Sequence, residues 1–456
     1  MEEIVLHDKN LGVRLCSMLM PKTDIDMKIW SVVACDQYTS EPEYWFKVNK
    51  IVGDNPSTLH LIFPEVYLET DDSQKRIEDI SKCMKNYINT GILVACNPCI
   101  ILVDRETTRT KSRKGLVLAI DLEEYDYAKG SKPLIRATES TVIDRLPPRI
   151  KIRENATLEL PHAMLLIDDP GKTVIEPLTK ILDSFEKVYD FELMQSGGHI
   201  KGYKINAPDI LDNISKALGK LANPQTFADK YGTDAEKNVL LFAVGDGNHS
   251  LASAKCHWEN VKKDLSSDET KNHPARFALV EVVNVHDEGI IFEPIHRVLF
   301  AIDPDTVLKS MMQYFEELDA TLVKFNSVDD MKDKLCGSTK DKDYHHIGFV
   351  ENNTFGIITI KKPKYNLEVA TLQSFLDDFT KKHQNAKIDY IHGEDVVTKL
   401  GSKGGNIGFY LPAMKKHDLF KTIILDGVLP RKTFSMGEAE EKRFYLECRK
   451  ITKDQF

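Results

Sequence analysis

The densest run of chemically capable residues is Gly245-Asp246-Gly247-Asn248-His249-Ser250. It sets a carboxylate, an amide, an imidazole and a hydroxyl close together, interleaved with two glycines. Glycine lets a backbone turn tightly and come close to a ligand. Asp246 is a candidate ligand for a divalent cation such as Mg2+, Asn248 a hydrogen-bonding amide and His249 a titratable base. The run is neither a Walker loop, since GxxxxGK[ST] is absent from it, nor a GxGxxG dinucleotide fingerprint. An ordinary strand–helix turn with polar caps is the competing reading of the same six residues.

The flanking sequence supplies elements that would hold such a loop. Asn238–Val244 is an almost uninterrupted apolar run, which predicts a strand buried on both faces. Leu251-Ala252-Ser253-Ala254-Lys255 is a good helix former, so a helix is expected to begin near Ser250. A helix start carries unpaired N–H groups and a partial positive charge, both suited to phosphate. Gly245, Gly247, Asn248 and Ser250 are therefore candidate phosphate or nucleotide contacts, with Asp246 and His249 as candidate catalytic groups.

A second concentration of charge runs from Arg136 to His162 and holds Arg136, Glu139, Arg145, Arg149, Arg153, Glu154, Glu159 and His162. Arginine forks match phosphate oxygens. Pro147-Pro148 interrupts any continuous helix, so spacing does not place these arginines on one face. A solvated loop with surface ion pairs would look the same.

The eight cysteines are scattered, and Cys96-Asn97-Pro98-Cys99 is their one close pair. Redox pairs of this spacing normally open a helix, whose dipole stabilises the thiolate. Here Ile100-Ile101-Leu102-Val103 follows and reads as a strand. A structural pair, with neither zinc nor redox cycling, is expected. Gly401–Asn406 reads as a flexible connection, and Glu394-Asp395 as acidic residues at a helix start. Pro294-Ile295-His296-Arg297 follows the strand candidate Ile290–Phe292, so His296 either lines a cleft or is a satisfied buried residue. Trp30, Trp45 and Trp258 are expected in the core.

With 456 residues, 42% of them hydrophobic, the chain is too long for one compact core. The segments 1–130, 131–300 and 301–456 are expected as subdomains. Strands are expected at Ile100–Val103, Gly115–Asp121, Ala163–Ile167, Ala275–Val285 and Asn406–Leu411, with a hairpin around Glu351-Asn352-Asn353. Helices are expected over Thr173–Val188, Asp209–Leu221, Pro304–Leu318 and Glu368–His383. This alternation predicts an α/β or mixed α+β architecture. A net charge of −9 argues against a nucleic-acid partner. No stretch approaches the ~20 apolar residues of a membrane span. Met1–Val5 lacks an apolar secretory core, so a cytoplasmic protein is expected.

At the loop the sequence resembles the family known as domain of unknown function 1015, found in bacteria and archaea, whose members carry an Asp-Gly-His-His-Arg-type loop followed by a helix with small residues. Asp246, Gly247 and His249 match that loop; Asn248 stands for its first histidine and Ser250 for its arginine. Arg136-Ala137-Thr138-Glu139 resembles the family's Arg-x-Thr-Glu segment, Pro161-His162 with Leu165–Asp169 its next strand, and Pro430-Arg431-Lys432-Thr433 its C-terminal Pro-x-Lys-Ser/Thr segment. Cys35-Asp36-Gln37-Tyr38 falls where the family usually has a Tyr-Asp pair.

The loop plan is also similar to that of the ParB, sulfiredoxin and free-serine-kinase group, whose shared fold binds nucleotide phosphates at that helix start. The resemblance implies a ParB/sulfiredoxin-like core with added subdomains, and a nucleotide (ADP or ATP) or another small phosphate compound as ligand. One implied activity is phosphoryl transfer to a small hydroxyl-bearing metabolite, with His249 or Glu139 as general base and Asp246 positioning Mg2+ or the acceptor. The alternative is a non-catalytic, ParB-like nucleotide-binding regulator acting as a homodimer. Serine at position 250 removes a positive charge that relatives carry. Arg136 is expected to restore it from elsewhere in the chain, with Glu139 steering it.

Overall fold

The computed structural model describes residues 11–128, 130–234, 239–338 and 343–453. It is a mixed α/β protein with two compact units, Met1–Ile291 together with Gly437–Phe456, and Phe292–Met436. The last residues of the chain thus belong to the first unit.

The first unit is built on a ten-stranded sheet. From edge to edge its strands are Glu186–Glu192, His199–Ile205, Ile100–Glu106, Arg113–Asp121, Phe277–Asn284, Met164–Ile167, Phe242–Asp246, Ile135–Ala137 and Tyr125–Asp126, with Val13–Arg14 added beside Arg113–Asp121. Successive side chains of a strand point to opposite faces. In Arg113–Asp121, Leu116, Leu118 and Ile120 accordingly join one hydrophobic cluster, with Leu251, Ala254 and Trp258. Val117 and Ala119 join another, with Trp45, Val48 and Tyr445. Both faces are covered, which is why the central strands read as nearly unbroken apolar runs.

The strands Ile100–Glu106, Arg113–Asp121, Met164–Ile167 and Phe277–Asn284, and the helix Pro208–Leu221, arise where the pattern placed them. The helix expected over Thr173–Val188 does not. Glu176–Ser184 is a 3-10 segment in which Ile181 leaves helical geometry, and Glu186–Glu192 is an edge strand. Tyr189 and Phe191 face inward while Glu186, Asp190 and Glu192 face solvent, so strand alternation takes over where the helical spacing ends at Phe185.

The loop strand also differs. Asn238 lies outside the described residues, and the strand is Phe242–Asp246, so Gly245 and Asp246 belong to the strand and not to the turn. It runs parallel to Ile135–Ala137 and antiparallel to Met164–Ile167, with a register shift between Val244 and Asp246. Such an irregularity re-aims the side chain that follows it, here Asp246.

The second unit contains a seven-stranded sheet: Thr321–Phe325, Thr354–Lys361, Tyr344–Glu351, Asn406–Tyr410, Phe292–Phe300 and Lys387–His392, with Phe434–Met436 paired to the beginning of Phe292–Phe300. Asn352 and Asn353 form the hairpin turn at φ 43° and 64°, as asparagine tolerates. His296 lies inside Phe292–Phe300, not beyond a strand ending at Phe292. It is 1% exposed, and its Nδ1 accepts the Leu411 N–H at 3.1 Å. Among the described residues no helix is long and apolar enough to cross a membrane.

Candidate functional site

The helix Asn248–Lys262 starts directly after Gly247, which sits at φ +77°. A Cβ on Gly247 would lie 2.7 Å from Ala163 Cα, so both conformation and space call for glycine. The Gly247 N–H donates to Asp246 Oδ1 at 2.9 Å, which turns that carboxylate back over the helix start. The N-cap is a glycine and offers no capping side chain, and no acidic residue lies in the first turn. A helix start carries a partial positive charge suited to an anion.

Neighbouring strands bring further groups to the loop. Thr138, one residue past Ile135–Ala137, donates from Oγ1 to Val244 O at 2.7 Å and accepts from Asn248 Nδ2 at 3.5 Å. Asn248 Oδ1 is buried with no hydrogen-bond partner. His249 accepts the Val142 N–H at Nε2, at 3.3 Å, so this lone pair faces the segment after Glu139. Glu139 is half-buried next to Thr138.

The structure adds Lys442, whose Nζ is 3.0 Å from Asp246 Oδ2. Burial would raise the Asp246 carboxyl, but the charge and hydrogen bond of Lys442 outweigh it. With help from His162 and the Gly247 N–H, they hold the group below its ordinary range. On the same side of the loop, His162 Nδ1 lies 2.8 Å from the Tyr445 hydroxyl, which contacts Cys35 Sγ at 3.2 Å and accepts the Cys35 N–H at 3.2 Å. Burial keeps both Tyr445 and Cys35 protonated at neutral pH, by raising each above its usual value. Neither is a ready base or nucleophile. Asp36 is held by Gln37 Nε2 at 2.8 Å, and Tyr38 adopts φ 53° while stacking on Tyr44 at 3.7 Å.

Cys35, Thr138, His162, Ala163, Asp246–His249, Lys442 and Tyr445 are therefore linked by contacts around one helix start. All but Lys442 and Tyr445 lie in segments that were legible. Lys442 was not, because a single lysine among polar residues carries no local signal.

Arg136 takes a different place from the one expected. Its Nε donates to Pro133 O at 2.9 Å, and its Nη2 to Lys132 O and Val239 O at 3.4 Å each. These carbonyls precede the parallel strands, whereas the loop follows them. The guanidinium thus binds the opposite end of the strand pair, and the cation beside Asp246 is Lys442. Arg149 is engaged with Glu65 at 2.7 Å, and Arg153 with Glu159 at 2.5 Å. Ion pairing within the fold accounts for these two arginines. Among the described residues no group of three or more His, Cys, Asp or Glu side chains is placed to hold a metal.

A family model described as a protein of unknown function, DUF1015, matches residues 19–379. No curated protein matches. Among solved structures, a free serine kinase in complex with AMP is 10% identical at a TM-score of 0.37, covering 74% of this chain and 91% of that one. A conserved hypothetical protein from Pyrococcus furiosus is 10% identical at a TM-score of 0.35, covering 74% and 95%. SbnI with C-terminal truncation from Staphylococcus aureus is 8% identical at a TM-score of 0.33, covering 72% and 82%.

Proposed function

The chain belongs to the DUF1015 family of proteins of unknown function, and from the geometry of its loop we propose that it binds a small phosphate compound at the start of Asn248–Lys262 and transfers a phosphoryl group to a small hydroxyl-bearing acceptor. A nucleotide, ADP or ATP, is the first candidate donor. One observation carries the reading: the glycine-capped start of Asn248–Lys262, with no acidic residue in its first turn, follows directly on the Asp246–Lys442 pair. Phosphoryl transfer needs mainly positioning and charge neutralisation, which such a site supplies without a covalent nucleophile.

In this reading the helix start at Asn248 receives the phosphate oxygens through its partial positive charge, and Lys442 provides the charge missing at Ser250. Gly245 and Gly247 let the backbone approach, while Asn248 Oδ1 takes a donor from the ligand. Asp246 orients Lys442 and the acceptor. Its single carboxylate, already paired with Lys442, is a poor Mg2+ holder alone, so a divalent cation would arrive with the phosphates. His249 Nε2 holds the Val142 amide, so His249 positions the 139–142 segment. Glu139 on that segment is the carboxylate assigned to the acceptor's proton.

A single-turnover experiment with terminally labelled ADP or ATP and a panel of hydroxylated metabolites tests this. Transfer of label, lost in Lys442→Met, supports it. Binding without transfer assigns the site to a nucleotide-binding regulator, for which a homodimer is the expected form. No binding of any phosphate compound at millimolar concentration overturns both.

A further inference from the structure

We propose that Cys96 and Cys99 form a reversible disulfide site, in which Cys96 attacks a low-molecular-weight disulfide and Cys99 resolves the product. The two Sγ atoms are 3.6 Å apart. Both residues are clamped to one segment: the Cys96 N–H donates to Met18 O at 2.9 Å and the Cys99 N–H to Cys16 O at 3.3 Å. Asn97 lies exposed between these anchors, so the thiols are held on one side of a short turn by the backbone. Closing a disulfide requires the sulfurs to approach further, to about 2.05 Å.

The two thiols are not equivalent. Cys96 is half-buried and can be reached from solvent, whereas Cys99 is 0% exposed. The hydrogen bond from Cys99 lowers the Cys96 thiol to about 7 against the opposing effect of burial, and the Met18 backbone contact and Lys204 assist. The same contact and burial raise Cys99. Cys16 lies close by, but burial pushes it up to about 12, so it stays a thiol. The expectation that a pair followed by a strand must be inert rested on the missing helix dipole. A neighbouring thiol and a lysine supply the stabilisation instead.

The chemistry balances with a disulfide as oxidant. The Cys96 thiolate attacks one sulfur of oxidised glutathione, forming a mixed disulfide and releasing one glutathione thiolate, which takes up a proton. Cys99 loses its proton and attacks Cys96 Sγ, and the second glutathione leaves as thiolate. The protein loses two hydrogens and two reduced glutathiones form.

The test treats the reduced full-length chain with oxidised glutathione and maps the cross-links by mass spectrometry, with exposed Cys336 as internal reference. The expected product is a Cys96–Cys99 disulfide reversed by dithiothreitol. Cys99→Ser should stop at a glutathione adduct on Cys96, and Cys96→Ser should leave Cys99 unmodified. At neutral pH Cys96 should alkylate faster in the unsubstituted chain than in Cys99→Ala, where the hydrogen bond that favours its thiolate is gone. Glutathionylation of Cys336 without a Cys96–Cys99 cross-link in the unsubstituted chain overturns the proposal, whatever the variants do.

Discussion

Lys442 Nζ stands 3.0 Å from Asp246 Oδ2, and this contact joins the returning C-terminal segment to the loop strand. Removing the lysine leaves a carboxylate that burial alone would raise. The depressed carboxyl contributes stability above its unfolded value of about 3.9, and that contribution is lost as pH falls through the folded value. Lys442→Met should therefore cost on the order of 1–3 kcal/mol at neutral pH. The deficit should shrink in acid, where Asp246 takes up a proton in the variant first. Urea unfolding of both proteins from pH 8 to pH 4 checks this; a gap independent of pH would remove Asp246 from the account.

Gly247 and Gly232 both have positive φ, +77° and +65°, but only Gly247 has backbone where a Cβ would go. Gly247→Ala should cost about 2–4 kcal/mol, combining left-handed strain with the clash at Ala163. Gly232→Ala should cost about 1 kcal/mol from strain alone. Equal losses in equilibrium unfolding would mean that the Ala163 approach does not constrain the loop.

His257, on the loop helix, is lowered to about 4, first by burial and then by Arg153 and His273 against the opposing Glu159. Its Nδ1 is buried without a partner. The unfolded imidazole titrates near 6.5, so the unfolded state binds the extra proton between there and pH 4. Stability is complete above about pH 6.5 and declines by up to about 1.4 kcal/mol per pH unit below it, from this residue alone. His257→Gln should lower the melting temperature at pH 7 and flatten its fall between pH 6.5 and 4.5. An unchanged slope would assign the acid lability to other groups.

What could be read in advance follows from the range of each interaction. The central strands were visible because burial on both faces forces continuous apolar runs, as in Leu116–Ile120. The hairpin was visible because Asn352-Asn353 tolerates the backbone its turn demands. Thr173–Val188 was misread as one helix because Ile175, Leu178, Ile181, Leu182 and Phe185 repeat at three and four residues. Glu176–Ser184 within it is a 3-10 segment, and its last three residues open the edge strand Glu186–Glu192, whose alternation depends on a partner strand at His199–Ile205. In the site, Gly247 and Asn248 were marked by local residue types, and Thr138 by its place in the segment that resembles the family's Arg-x-Thr-Glu run. The Asp246–Lys442 pair depends on the chain returning after the second unit, and nothing near Lys442 in sequence records that return. Choosing Arg136 as the missing cation followed residue chemistry correctly but lacked the strand direction that decides which end its side chain serves.

The contrast between Arg136 and Lys442 gives the sharpest prediction about the site. Burial lowers Arg136 to about 10, and its nitrogens serve the carbonyls of Lys132, Pro133 and Val239. Arg136→Met leaves those acceptors without this donor and should cost about 1–3 kcal/mol of stability. It should not alter ligand affinity, because the guanidinium lies at the end of the strands away from Gly247. Lys442→Met should act on affinity. A ligand at a hundredfold excess over Kd stabilises the folded chain by about 2.7 kcal/mol, a shift of a few degrees for a protein of this size. If Lys442 neutralises the phosphate, its loss should weaken binding by about tenfold, or ~1.4 kcal/mol, and roughly halve the shift at the same ligand concentration. Thermal melts of both variants with ADP, ATP, pyrophosphate and sugar phosphates separate the roles. Arg136→Met should melt lower by the same amount with and without ligand, whereas Lys442→Met should lose part of the ligand-induced increment. The opposite pattern, with the increment lost in Arg136→Met and kept in Lys442→Met, would return the phosphate charge to Arg136 and require that the side chain swing across the strand pair on binding.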